Sequence, residues 1–203
     1  MIVVGLTGGI ATGKSAVAGM FAKGGAAVLD GDEVVRELQV PGTKVYEATV
    51  QAFGPDILQP DGTINRKLLG EIVFRDERLR RRLETIVHPA LVVAVEERLA
   101  QLREQGVALC VVELPLLMES GAEGRFDWVV VVTAPEEEQV VRLMADRGLR
   151  REEALARTRT QMPLAEKVKR ADFVIENRGD LGETERRVRE IYEQILRGGP
   201  KKT

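Results

Sequence analysis

The sequence predicts an α/β fold in which a five-stranded parallel sheet carries helices on both faces. Three observations point there. Short runs rich in β-branched residues alternate along the chain with longer stretches of helical periodicity. Five of those runs, residues 2–6, 26–29, 107–112, 128–132 and 173–175, are nearly continuously apolar, as strands covered on both faces are. The first run also passes through a glycine-rich segment straight into a helical pattern, the strand–turn–helix order of a parallel crossover.

Residues 15–23 place Val17, Met20 and Phe21 at helical spacing and stop at Gly24-Gly25. The interval from about 34 to 105 is too long for one crossover. It holds helical patterns of its own at 45–53, 67–74 and 79–87, broken by Pro41-Gly42 and by the loop 54–63 with Pro55, Pro60 and Gly62. A further helix carries Leu91, Val95, Leu99 and Leu102 on one face and stops near Gly106. His88, the one histidine, precedes Pro89 and reads as the N-cap of that helix. Residues 142–170 hold nine basic side chains against four acidic, an excess of five. Residues 180–196 read as a closing amphipathic helix and 198–203 as a frayed tail. The division that results is a core of 1–33, 106–141 and 171–197, a helical insertion of about 34–105, and a helical lid of about 142–170.

Composition bounds the function classes. With 44% hydrophobic and 31% charged residues the chain is an ordinary globular protein of one α/β domain. Thirty basic against 32 acidic side chains, a net charge of −2, give no global reason to bind nucleic acid, so any anion site is local. No run approaches the roughly 20 apolar residues of a membrane helix. Met1 leads into Ile2-Val3-Val4 without a basic leader, which points to neither secretion nor a membrane. The lone cysteine, Cys110, sits in an apolar run and reads as a small buried hydrophobe in a reducing cytoplasm.

The chemistry begins at Gly8-Gly9-Ile10-Ala11-Thr12-Gly13-Lys14-Ser15, an ungapped G-x-x-x-x-G-K-[ST] between a predicted strand and a predicted helix. A phosphate chain needs many backbone N–H donors within a small radius, and glycines let them approach. Lys14 reaches β- and γ-phosphates as a point charge, and the Ser15 hydroxyl is placed to ligate Mg²⁺. The core is therefore of the P-loop NTPase kind, and its helix N-terminus adds a positive dipole end.

Asp30-Gly31-Asp32 follows the second strand, where ligands of open α/β sheets bind. Asp32 is the candidate base for a hydroxyl acceptor. The alternative, a solvated turn with Asp32 capping a helix at Glu33, stands beside it. Glu113 occupies the strand end where a Walker-B aspartate often stands. It suits Mg²⁺ held through water, but it suits a capped or solvated turn at least as well. Leu114 to Leu117 read as an apolar wall. In the lid, Arg142 and Arg147 lie on the helix entered at Pro135, directly after a strand, and are the arginines best placed to meet phosphoryl charge.

In order and spacing these residues resemble the dephospho-CoA kinase family. The resemblance runs from Gly5-Leu6-Thr7-Gly8-Gly9-Ile10 and Gly13-Lys14-Ser15 through Asp30-Gly31-Asp32, Phe53-Gly54, Leu58, Asp61-Gly62, Asn65-Arg66 and Leu69. It continues at His88-Pro89, Pro115-Leu116-Leu117, Gln139, Arg142, Arg147, Gln161 and residues 171–177. The resemblance implies an ATP-dependent kinase that phosphorylates the ribose 3′-hydroxyl of dephospho-CoA, with the insertion binding that substrate. It implies a phosphate loop of Gly8 to Ser15, continued by Ala16, with Arg147 and Asn177 also at ATP and Asn177 near its base. Lys14, Asp32 and Arg142 become the catalytic residues, and Thr7, Asp32, His88, Pro115, Leu116 and Arg142 the acceptor-side residues. ATP and Mg²⁺ are the implied cofactors and Ser15 the metal ligand. The implied partners are small molecules, without nucleic acid or membrane, and the chain is expected to be a monomer or weak homo-oligomer. Three departures stand out: Ala11 and Thr12 where glycine and serine are usual, Gly31 for alanine, and Glu113. Two alternatives remain. One is a kinase for a nucleoside monophosphate or small polyol. The other is a GTP switch or a regulatory nucleotide-binding module without catalysis; against the switch, Asn177-Arg178-Gly179-Asp180 lacks the lysine of a guanine-recognition segment.

Overall fold

The computed structural model describes residues 1–199, so the tail expected at 198–203 lies mostly outside the described residues. Five strands form one all-parallel sheet: β1 (Ile2–Gly8), β2 (Ala27–Asp30), β3 (Leu109–Glu113), β4 (Trp128–Thr133) and β5 (Phe173–Glu176). Their spatial order is β2-β3-β1-β4-β5, with β1 paired to β3 (Leu6 opposite Glu113) and to β4 (Gly8 opposite Val132). All five strands stand where the apolar runs place them, with ends shifted by one or two residues. The chain visits one side of β1 before crossing to the other. The carboxyl ends of β1 and β3 therefore flank a topological switch point, where such sheets hold ligands.

The pleat sorts side chains between two cores. Ile2, Val4 and Leu6 of β1 with Val130 and Val132 of β4 face α1 (Lys14–Lys23) and α9 (Leu181–Gly198), packing on Phe21, Ile191 and Ile195. Val129 and Val131 point the other way, onto Leu117 and Met118. Asp127 and Asp172 extend the ladder, accepting from the N–H of Val3 and Val129 at 2.8 Å each. Helix α9 is capped by Asp180, whose side chain accepts from Gly182 and Glu183 N–H.

The chain divides into two compact units, residues 1–30 with 102–203, and residues 31–101. The second unit is helical, with α2 (Gly31–Leu38), α3 (Lys44–Phe53), α4 (Arg66–Arg75) and α5 (Glu77–Glu104), whose last residues belong to the first unit. Thr43 and Asn65 cap α3 and α4, and Ile57, Ile64 and Leu69 form the unit's small core with Tyr46, Phe53 and Leu83 around it. Arg66 closes the end of α2 by donating to Arg36 O and Gln39 Oε1, both at 3.0 Å. Burial and the neighbouring Arg36 lower its pKa.

Two expectations are corrected here. His88 does not cap a new helix: α5 runs unbroken for 28 residues with Pro89 inside it. A proline removes one helical hydrogen bond, and the apolar face of Val87, Val95 and Leu99 is continuous across it, so packing overrides the break. Asp32 does not cap a helix at Glu33 either. Helix α2 begins at Gly31, which places Asp32 in the first turn, where its charge meets the positive dipole end.

Candidate active site

The phosphate loop hangs between the end of β1 and the start of α1, and backbone sterics explain its sequence. Gly13 has φ +91° and ψ 28°, left-handed backbone that L side chains resist. A Cβ there would also lie 2.1 Å from Asn177 Nδ2. Ala11, at φ +56°, is the one non-glycine among the described residues with positive φ. The departure noted in the sequence therefore falls where a glycine would sit without strain. Thr12 is fully buried, and its hydroxyl donates to Gly9 O at 3.0 Å, a bond that needs only a side-chain hydroxyl at this position.

Charged and polar groups converge on this loop. Lys14 Nζ donates to Gly9 O at 2.9 Å. Arg142, on α6 (Glu136–Arg147), donates to Ala11 O at 3.2 Å and to Asn177 O at 3.2 Å, while Glu138 holds its guanidinium at 2.8 Å. Asn177 is buried. Its Nδ2 donates to Thr12 O at 2.9 Å, and its Oδ1 has no protein partner. Ile10 and Ala11 pack against Val140 and Leu143 of α6 and Ala154 of α7 (Arg151–Thr158). Arg147 is exposed on the last turn of α6, about 140° round the helix from Arg142.

At the carboxyl end of β3, Ser15 Oγ donates to Glu113 Oε1 at 3.0 Å. Glu113 is 7% exposed, so it does not solvate a turn. Asp30 stands opposite it at the end of β2, and Asp32 lies two residues on in α2, exposed. Thr7 Oγ1 donates to Pro115 O at 3.2 Å, joining β1 to the segment after β3. That segment is not one apolar wall. Leu117 turns into the core at 0% exposure while Leu116 projects at 41%.

The basic excess in residues 142–170 is largely matched from outside the segment. Arg151 donates to both oxygens of Glu137 at 2.5 and 2.7 Å, and that bond holds the Glu137 carboxyl below its ordinary range. Arg170 pairs with Glu123, and Lys167 with Glu119. Lys167, on α8 (Leu164–Lys169), is fully buried, and no periodicity in the sequence marks it out from its exposed neighbours.

A sequence profile described as "Dephospho-CoA kinase" matches residues 2–183. The chain belongs to the dephospho-CoA kinase family. A curated family member from Geobacter sulfurreducens is 49% identical over 192 residues, 95% of this chain and 98% of that one. Among solved structures, one from Thermus thermophilus superposes with a TM-score of 0.81 at 39% identity, covering 96% of this chain and 97% of the other. The structure of a dephospho-CoA kinase from Campylobacter jejuni does so with a TM-score of 0.69 at 29% identity, covering 97% and 98%.

Proposed function

We propose that this family member transfers the γ-phosphate of ATP to the ribose 3′-hydroxyl of dephospho-CoA, giving coenzyme A and ADP in the final step of coenzyme A synthesis. The observation that carries the reading is the phosphate loop at the β1–β3 switch point, with Ser15 bonded to the buried Glu113 beside it. Its setting is a chain matched to the family over residues 2–183.

The loop's N–H groups and the α1 dipole bind the β- and γ-phosphates, and Lys14 bridges them. Asn177 Oδ1, a buried acceptor without a protein partner, is assigned to a donor on the adenine base. Arg142, steadied by Glu138, meets charge that develops on the transferred phosphoryl. Asp32 accepts the 3′-hydroxyl proton as the new O–P bond forms and ADP leaves. His88, Pro115 and Leu116 are assigned to the acceptor, and the segment 142–170 to lid closure.

Mg²⁺ fits this donor set. A hydroxyl and a carboxylate 3.0 Å apart are hard oxygen groups, and Mg²⁺ takes one or two such ligands, with phosphates and water completing its shell. Ser15 would hold it directly and Glu113 through water. When bound, it would supply positive charge against the phosphate chain. No described helix is long and apolar enough to cross a membrane, and the buried Cys110 suits a reducing cytoplasm.

The test is ADP release with MgATP against dephospho-CoA, AMP, CMP, UMP, shikimate and gluconate. Release with dephospho-CoA above all others is expected. Turnover confined to another acceptor would overturn the reading.

A further inference from the structure

Lys167 is the one lysine buried to 0% exposure among the described residues, and its three ammonium protons have three destinations. Nζ lies 3.1 Å from Pro115 O, 3.0 Å from Glu119 Oε2 and 3.5 Å from Gly8 O. Gly8 ends β1 and opens the phosphate loop, and Pro115 begins the segment after β3. Glu119, with a side chain 23% exposed, also accepts from Met162 N at 3.0 Å, in the connection that leads into α8. Leu164, one turn before Lys167, reaches the phosphate loop as well: a Cβ on Gly9 would meet its Cδ2 at 3.3 Å. One ammonium therefore binds together the donor-side loop, the segment carrying Pro115 and Leu116, and helix α8.

Stability alone gives a weak reason for a cation in this place. A buried ion pair loses much of its Coulomb gain to desolvation, and an apolar residue of similar volume commonly serves as well. What an apolar residue lacks is the ability to fix two carbonyl oxygens from different segments at one point. In phosphoryl transfer that point matters, because small misplacements of donor against acceptor are amplified in rate. We infer that Lys167, held by Glu119, is a positioning residue that sets the start of the phosphate loop against the Pro115 segment. This rests on the assignment of those two segments to ATP and to the acceptor.

The experiment uses the full chain with Lys167→Met, which keeps side-chain length and removes the charge, and Glu119→Gln, which keeps an acceptor for Nζ. The readouts are steady-state kcat and KM, calorimetric ATP affinity, and peptide-level hydrogen exchange. Lys167→Met should lower kcat roughly 10- to 100-fold while ATP affinity stays within about threefold. Glu119→Gln should show the same split with a smaller loss. Exchange should quicken together in peptides covering residues 6–13 and 113–119. A folded Lys167→Met with parental kcat, or with a defect confined to ATP affinity, overturns the inference. If Lys167→Met does not fold, Glu119→Gln decides, and parental kcat in it overturns the inference likewise. A parent that releases no ADP with dephospho-CoA means that the function reading has failed. The exchange arm then decides for Lys167 alone, and unchanged exchange in either peptide overturns it.

Discussion

Two substitutions in the phosphate loop should move stability in opposite directions, because the loop holds one glycine and one alanine in the same left-handed region. At Gly13, alanine meets φ +91° and a contact of 2.1 Å with Asn177 Nδ2. The backbone penalty is about 1–2 kcal/mol, offset by about 0.5–1 kcal/mol because alanine has less unfolded-state freedom to lose. Asn177 must also give way, and its bond to Thr12 O is worth about 1 kcal/mol more. The total is about 2 kcal/mol. At roughly 2–4 °C per kcal/mol for a chain of this size, Gly13→Ala should lower Tm by about 4–8 °C. At Ala11, φ +56° already carries the backbone penalty, so Ala11→Gly should gain about 0.5–1 kcal/mol from the backbone, less about 0.4 kcal/mol for the half-buried methyl that packs on α6 and α7, and raise Tm by up to about 2 °C. Scanning calorimetry of both variants against the parent is the assay, with ATP affinity measured in parallel to register the displaced loop. A Gly13→Ala variant within about a degree of the parent, or an Ala11→Gly variant that melts lower, would refute the steric account of the loop.

Four further outcomes are expected. Lys14→Ala should retain the parental circular dichroism and lose at least ~10²-fold in turnover; a variant that keeps a tenth of the rate removes Lys14 from the phosphate site. Asp32→Asn should lose ~10² to 10⁴ in kcat with little change in affinity for ATP or dephospho-CoA, and near-parental turnover would show that another group takes the proton. Glu113→Gln should raise the Mg²⁺ concentration for half-maximal rate several-fold, whereas an unchanged Mg²⁺ dependence in kinetic titration would confine Glu113 to a structural role. Burial pushes the Cys110 thiol from its ordinary 9.0 up to about 11. A raised pKa means that the neutral thiol's contribution is complete below pH ~9 and is lost as pH rises through about 11, so the Tm advantage over Cys110→Ala should shrink across that window. A constant advantage would contradict it.

How much of this was legible in the chain differs between fold and site. The strands were readable because a sheet buried on both faces demands unbroken apolar runs, and 107–112 and 128–132 have no other use. The phosphate loop was readable because its glycines answer to backbone geometry that no other residue meets easily. Pro89 misled, since local propensity signals a break and the continuous apolar face of α5 overrules it. At Glu113 the sequence suits a solvated turn, because it shows a strand end but not which residue of α1 lies across from it. The partner, Ser15, is 98 residues away. Lys167 was invisible for a similar reason. Its neighbours Glu166 and Lys169 form an ordinary exposed pair, and nothing local distinguishes a buried ammonium from a solvated one.

Those long-range contacts fix the phosphate loop before nucleotide arrives. The phosphate loop is fixed at Gly8 by the Lys167 ammonium, at Ala11 by Arg142 and at Thr12 by Asn177, and each strut comes from the second half of the chain. A loop free to wander would meet its ordering entropy each time nucleotide bound, about 1–2 kcal/mol for each residue fixed. Here that cost is met once, on folding, and the strain held at Ala11 is tolerated because three independent bonds hold the backbone around it. The donors are then already aimed when phosphate arrives, which is the condition under which fixed dipoles stabilise a transition state rather than merely bind a substrate. In the proposed mechanism Arg142 thus has two jobs that truncation to alanine removes together. A loss of rate in Arg142→Ala mixes missing charge with a released Ala11 carbonyl. Arg142→Lys, which keeps the charge but cannot span Ala11 O, Asn177 O and Glu138 at once, separates the two.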